Sequence, residues 1–205
     1  MLCINDHIAD LNEEQVEVLL AALPVWRREK ALRYKYLQGR AECAVAYIEL
    51  LRGLRLCYGI EGYPTFSYNE HDKPFLKEHP DIHFSISHCK EAVGCFLSDR
   101  PCGLDIERIR TAKPDLVRHT MSPKEEEAIF RSPFPDIAFT RLWTQKEAVL
   151  KLYGTGITDE LHHVLEPDRT KGIELRTIEN PHRNYILTIA TSLQDTSAHL
   201  FDGLP

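Results

Sequence analysis

Two long helix-forming stretches, each stopped by a glycine and each followed by short β-like runs, constrain the fold of these 205 residues more than any other feature. The first, Gly39–Tyr58, is largely apolar and meets Gly59, and the second, Asp136–Tyr153, is amphipathic and meets Gly154. Glycine ends a helix readily because it enters the left-handed conformation without a Cβ penalty. Ahead of the first long helix, Asn12–Leu23 spaces Val16, Leu19, Leu20 and Leu23 along one face. After it come Thr65–Tyr68, Ile82–His88, Ala92–Ser98 and Gly103–Ile109, separated by turn formers such as Asp72-Lys73-Pro74 and Asp99-Arg100-Pro101. Ahead of the second, Ser122-Pro-Lys-Glu125 is a capping box with proline in the first turn, and beyond it Gly172–Ile178 and Tyr185–Thr191 read as strands. Helices followed by strands, twice over, predict an α+β protein of two similar halves, 1–102 and 103–205, joined near Cys102.

A hydrophobic content of 43% is enough to bury a core in a chain of this length. The net charge of −6 excludes a general nucleic-acid or membrane-surface binder, whose affinity comes from excess Lys and Arg. No apolar run approaches the roughly 20 residues that span a bilayer. The cysteines, Cys3, Cys43, Cys57, Cys89, Cys95 and Cys102, form no CxxC pair, and the start MLCINDHIADLNEEQ lacks a basic n-region and an apolar h-region. They read as reduced thiols of a cytoplasmic protein. Positive charge is local: between Trp26 and Arg40, six basic residues face only Glu29, so the segment is +5 and the remainder −11.

Gly103-Leu-Asp105-Ile-Glu107 alternates apolar and acidic residues, which on a strand places both carboxylates on one face, roughly 6.6 Å apart. Such a pair invites a cation, although a D-x-E on its own is more often the solvated face of a half-buried strand. In Trp143-Thr-Gln-Lys146-Glu147-Ala-Val-Leu-Lys151 the four-residue spacing lines Trp143, Glu147 and Lys151 along one helix row, beside an apolar stripe of Ala138, Leu142 and Val149. Taken alone, that row is equally an ordinary Glu-to-Lys surface pair next to a core tryptophan.

Together with Phe84-Ser-Ile-Ser-His88 upstream, the two segments resemble the 4′-phosphopantetheinyl transferase family, in its monomeric, pseudo-dimeric class. That family carries a G-x-D-x-E strand, a W-x-x-K-E-A-x-x-K helix and an S-x-S-H segment, filled here by Gly103, Asp105, Glu107, then Trp143, Lys146, Glu147, Ala148 and Lys151. Lys73-Pro74 and Gly154-x-Gly156 extend the likeness, which runs over roughly residues 25–157. The resemblance implies two α/β halves related by a pseudo-two-fold axis, with the active site in the cleft between them. It implies transfer of the phosphopantetheine arm of coenzyme A to a serine of an apo acyl or peptidyl carrier protein, with Mg²⁺ as cofactor. Asp105, Glu107 and Glu147 resemble the family's magnesium ligands, and magnesium is a hard ion that takes few carboxylates and completes its shell with water and phosphate oxygens. Lys151 resembles the lysine on the coenzyme A diphosphate and Lys146 a phosphate neighbour, while His88, Arg40, Arg27 and Lys30 resemble the groups around the adenosine 3′-phosphate and diphosphate. Glu147 resembles the base that deprotonates the acceptor serine. Carriers of fatty-acid, polyketide and non-ribosomal peptide synthesis all fall within this likeness.

Other signals carry less. His71, His79, His83 and His88 show no zinc spacing, Ser87-His88 would point to opposite faces of a strand, and Glu125-Glu126-Glu127 reads as a capped, solvated helix start. A magnesium phosphohydrolase could use the same carboxylates but has no use for the basic segment at 26–40. A non-catalytic carrier-binding or coenzyme A-binding module has no need of Asp105 or Glu147.

Overall fold

The structure, a computed structural model, describes residues 1–156 and 161–193. The elements in chain order are β1 (Leu2–Asn5), α1 (Glu13–Ala21), α2 (Val25–Leu32), α3 (Leu37–Tyr58), β2 (Phe66–Tyr68), β3 (Pro74–Leu76), β4 (His83–His88), β5 (Val93–Ser98) and β6 (Cys102–Arg108). They continue with α4 (Pro114–Thr120), α5 (Pro123–Arg131), α6 (Pro135–Tyr153), α7 (Pro167–Thr170), β7 (Ile173–Asn180) and β8 (Tyr185–Ser192). The α+β class is therefore correct. Both glycine stops are observed, with Gly59 at φ 65° and Gly154 at φ 71°, and Ser122 and Glu125 close a reciprocal capping box at the start of α5.

Three differences from the sequence reading stand out. The first four residues after Met1 form β1, which a run this short does not announce; it exists because β5 offers it an edge, with Cys3 opposite Cys95. The basic segment contributes a helix, α2, which anchors only Ala31 in the core and leaves most of its charges in water. Pro74–Leu76 adds a strand that pairs with β2 to make a small hairpin.

Two three-stranded antiparallel sheets order as β1-β5-β4 and β6-β8-β7, so in each the first strand in sequence lies at one edge and the last lies in the centre. Helix α3 packs on β1, β4 and β5, and α6 packs on β6 and β8. Between the sheets, Leu2, Ile4 and Phe96 meet Leu104, Ile106, Leu187 and Ile189 in one apolar cluster. The remaining face of β6, bearing Gly103, Asp105 and Glu107, is thereby turned toward α6.

Gly103 shows how close that approach is. A Cβ built there would lie 2.0 Å from Ala148 O and 2.5 Å from Leu152 N, so only glycine lets the strand backbone rest on the helix backbone. At the free edge of β6, Ser85 Oγ accepts from Leu104 N at 2.9 Å and Ser87 Oγ from Ile106 N at 3.0 Å. Two serine hydroxyls thus replace the missing ladder partner and join the sheets. Gly103→Ala is expected to cost about 3 kcal/mol of stability or more, because the added methyl has only backbone to push against. Thermal unfolding checks this, and a wild-type midpoint would show that α6 can move away freely.

Candidate active site

The site lies where β6, the end of β4 and the middle of α6 meet. A single row on α6 supplies Trp143, Glu147 and Lys151, and β6 supplies Asp105 and Glu107 opposite them, all bordering one cavity of about 400 Å³ together with Arg110. A contiguous cavity of about 330 Å³ runs from Glu147 and Lys151 past Phe84 and Ile86 to Lys73 and Pro74. The pattern in the sequence thus predicted the right face of both elements.

Lys151 Nζ lies 2.6 Å from Asp105 Oδ1 and donates to Ser87 Oγ at 2.9 Å, and Ser87 Oγ also donates to Asp105 Oδ1 at 3.1 Å. Asp105 is buried, and its second oxygen, Oδ2, has no hydrogen-bond partner. Glu147 Oε1 is likewise buried without a partner. Glu107 is held at both oxygens: Arg110 donates to Oε2 at 2.7 Å and the Trp143 indole N–H to Oε1 at 3.3 Å, with the Arg110 guanidinium 5.9 Å from the Trp143 ring centre. Arg110 is placed by the segment after β6, which runs along α6 through Arg110 N on Thr140 Oγ1 and Ala112 N on Asp136 Oδ1.

Three carboxylates face one ammonium and one exposed guanidinium, and the imbalance is visible in their titration. Burial, then the charge of Asp105, pushes Glu147 up to about 7, against the opposing pull of Lys151. Burial and Asp105 raise Glu107 as well, with Arg110 opposing. Two orphaned carboxylate oxygens in a site short of positive charge fit a hard divalent cation. Among the described residues no group of three or more His, Cys, Asp or Glu closes into a ready-made metal cage.

Two expected phosphate contacts are corrected. Lys146 is fully buried on the other side of α6 and spends all three of its donors inside the protein, on Thr120 O (3.0 Å), Leu161 O (2.7 Å) and Glu125 Oε2 (2.7 Å). One residue along a helix is a turn of about 100°, which takes Lys146 out of the row of Glu147. Glu125 is accordingly a capping and ion-pair residue. Arg27 is turned into the N-terminal half, where it donates to Cys43 O at 3.0 Å and lies 5.1 Å from the Tyr47 ring centre. Lys30 is exposed on α2, Arg40 is half-exposed with Nε donating to Tyr34 O at 3.0 Å, and His88 sits at the cavity rim, 3.4 Å from Glu42 Oε2.

Sequence reasoning missed Ser85, Ser87 and Arg110 as site residues. The serines carried a signal, since polar residues at alternate positions of an otherwise apolar strand need partners; Arg110 carried none.

Against this geometry the comparisons with known proteins are consistent. The family model described as the 4′-phosphopantetheinyl transferase superfamily matches residues 101–198. The chain is 27% identical over 172 residues to a 4′-phosphopantetheinyl transferase of Bacillus subtilis, covering 80% of this chain and 76% of that one. It is 25% identical over 177 residues to the 4′-phosphopantetheinyl transferase Sfp of Bacillus subtilis strain 168, covering 83% and 79%. It is 31% identical over 150 residues to the 4′-phosphopantetheinyl transferase AcpT of Escherichia coli O157:H7, covering 68% and 70%. The chain belongs to the 4′-phosphopantetheinyl transferase superfamily, and it is a transferase of phosphopantetheinyl groups.

Because Glu147 binds its proton more tightly in the folded than in the unfolded chain, its contribution to stability is complete below its ordinary value of 4.5 and is lost as pH rises through about 7. At pH 8 without divalent cations, Glu147→Gln is expected to be more stable than wild type by about 1–3 kcal/mol, the worth of removing a strained buried charge. Denaturant titration measures this, and equal or lower stability would show that the carboxylate is already neutralised.

Proposed function

We propose that the chain transfers the 4′-phosphopantetheine of coenzyme A to a serine of an apo carrier protein, with magnesium, and releases adenosine 3′,5′-bisphosphate. The observation that carries this reading is the pair of buried, unbonded oxygens, Asp105 Oδ2 and Glu147 Oε1, on two residues that line the same cavity as Lys151. Asp105 and Glu147 would hold the ion through those oxygens, with Glu107 as the third carboxylate. Bound magnesium would neutralise the diphosphate and favour charge developing on the leaving phosphate.

The chain's own residues supply the rest. The serine oxygen forms a bond to the β-phosphorus while the bond from that phosphorus to the bridging oxygen breaks, and the bisphosphate leaves with the electron pair. Glu147 takes the serine proton. Lys151, fixed between Asp105 and Ser87, presents its ammonium to the diphosphate. Arg40, His88 and the exposed Lys30 are the groups we assign to the adenosine 3′-phosphate. A module that only bound carriers would have no reason to bury two unpaired carboxylate oxygens.

The same reading makes 1–102 and 103–205 two pseudo-two-fold-related halves, supported by their shared strand order. It places the enzyme in the cytoplasm as a monomer, consistent with six unpaired thiols. No helix among the described residues is long and apolar enough to cross a membrane.

Incubation of the protein with coenzyme A, Mg²⁺ and a panel of apo carriers is expected to add the mass of phosphopantetheine, and excess chelator is expected to stop it. Glu147→Gln should lower transfer by roughly 10²–10⁴, the usual worth of a general base, while coenzyme A still binds with magnesium. Undiminished transfer in chelator would remove the metal, and a near wild-type rate in the glutamine variant would remove the base.

Arg40→Ala and His88→Ala should raise KM for coenzyme A more than they lower kcat, since remote phosphate contacts bind ground and transition states alike. Dephospho-coenzyme A should be nearly indifferent to both changes. Equal losses with the two substrates would place the 3′-phosphate elsewhere.

A further inference from the structure

Lys73 has no role in the mechanism above, yet its ammonium is sunk between the two halves of the protein. It donates to Leu152 O at 2.9 Å and to Cys102 O at 3.2 Å. The first carbonyl belongs to the last turn of α6, the second to the first residue of β6. These two elements carry Glu147 and Lys151 on one side and Asp105 and Glu107 on the other. Among the described residues no carboxylate pairs with Lys73, and burial lowers its pKa. Lysines ordinarily extend their heads into water; this one instead serves carbonyls at a helix C-terminus, where the last carbonyls lack intrahelical partners and a cation is favoured.

The turn joining β2 to β3 is shaped for the same contact. Asn69 Oδ1 accepts from His71 N at 3.0 Å and Lys73 N at 2.8 Å, and Asp72 takes the left-handed conformation with φ 61°. The folded turn then presents Asn69 Nδ2 to Gly154 O at 3.1 Å. Gly154 has φ 71°, and a Cβ there would meet Lys73 Cδ at 2.8 Å and Asn69 Nδ2 at 3.0 Å. The glycine that stops α6 is thus also the seat on which the hairpin rests.

We propose that Lys73 is a positioning residue for phosphopantetheine transfer: with Asn69 it fixes the last turn of α6, and so the place from which Lys151 reaches Ser87 and Asp105. The inference rests on the transfer reading given above. Lys151 directly precedes the gripped Leu152, so a shift of that turn moves its ammonium off the Asp105–Ser87 pair. The effect on chemistry runs through Lys151, since Lys73 Nζ donates to the backbone carbonyls of Leu152 and Cys102.

The test is Lys73→Met, which keeps length and apolar bulk but removes both carbonyl contacts, assayed by carrier modification with coenzyme A as the varied substrate. The expected result is a fall in kcat per folded molecule of about 10-fold or more, with KM for coenzyme A changed less than about 3-fold, as for a misplaced catalytic group. In a Lys151→Ala background the same change should add less than about 3-fold, because both substitutions disable one interaction. Asn69→Ala, which leaves the buried ammonium in place, should act in the same direction with a smaller loss and serves if Lys73→Met does not fold. Full kcat in the variants overturns the proposal, as does a loss confined to KM, which would make Lys73 a direct substrate contact. A lowered melting temperature with normal kcat per folded molecule, or losses that multiply with Lys151→Ala, overturns it too. Wild-type protein is the control: if it modifies no carrier in the panel, the transfer reading itself has failed, whereas active wild type with an equally active Lys73→Met sinks only the positioning role.

Discussion

The contact between the backbone of Gly103 and the backbone of α6 at Ala148 and Leu152 governs the geometry of everything around it. A strand ordinarily stands off a helix by the length of its side chains. Here the missing side chain removes that spacing, and two carboxylates on β6 come within reach of a carboxylate and an ammonium on α6. The apolar face of β6, Leu104 and Ile106, is meanwhile fixed against Leu187, Ile189 and Phe96, so the strand cannot rotate to relieve the charges it presents. The polar face of the strand is therefore committed to the site by packing on its other face.

Concentrating charge in this way has an electrostatic cost that the protein leaves partly unmet. Lys151 satisfies one oxygen of Asp105, and Arg110 with Trp143 satisfies Glu107, but Asp105 Oδ2 and Glu147 Oε1 stay buried and unbonded. Orphaned acceptors of this kind are rare in folded proteins and call for an explanation. Both oxygens lie in a site short of positive charge, the setting in which a hard cation would be favoured. The raised Glu147 carboxyl is a consequence of the same crowding.

Three buried or half-buried lysines, Lys73 from the N-terminal half and Lys146 and Lys151 from α6 itself, divide the labour around this helix. Lys146 binds the helix to the end of α4 and to Leu161, Lys73 holds its last turn, and Lys151 reaches Asp105 and Ser87 at the cavity. At the free edge of β6, Ser85 and Ser87 supply hydroxyl acceptors where a neighbouring strand would have supplied carbonyls, and Ser87 at the same time shares Asp105 and Lys151. Support and chemistry thus meet in one side chain.

What the sequence by itself determined follows from short-range rules. Residue period placed Asp105 with Glu107 and Trp143 with Glu147 and Lys151, and caps and glycine stops bounded α5 and α6; each depends only on neighbours within a few residues of chain, and the family resemblance needed only the order of three such short motifs along the chain. What only the tertiary structure decided depends on who lies across the gap. Lys146 is adjacent to Glu147 in sequence, but the helical rotation of one residue sends it into the protein, where three acceptors from Thr120, Glu125 and Leu161 wait for it. Arg27 stands in a basic run that reads as an anion site, and packing against Tyr47 claims it instead. β1 needed the edge of β5, Arg110 needed the path of the chain along α6, and Lys73 needed carbonyls about 30 and 80 residues away in sequence. Long-range partners of this kind are chosen by burial and by the demand that buried polar groups be satisfied, and neither quantity exists until the chain has closed on itself.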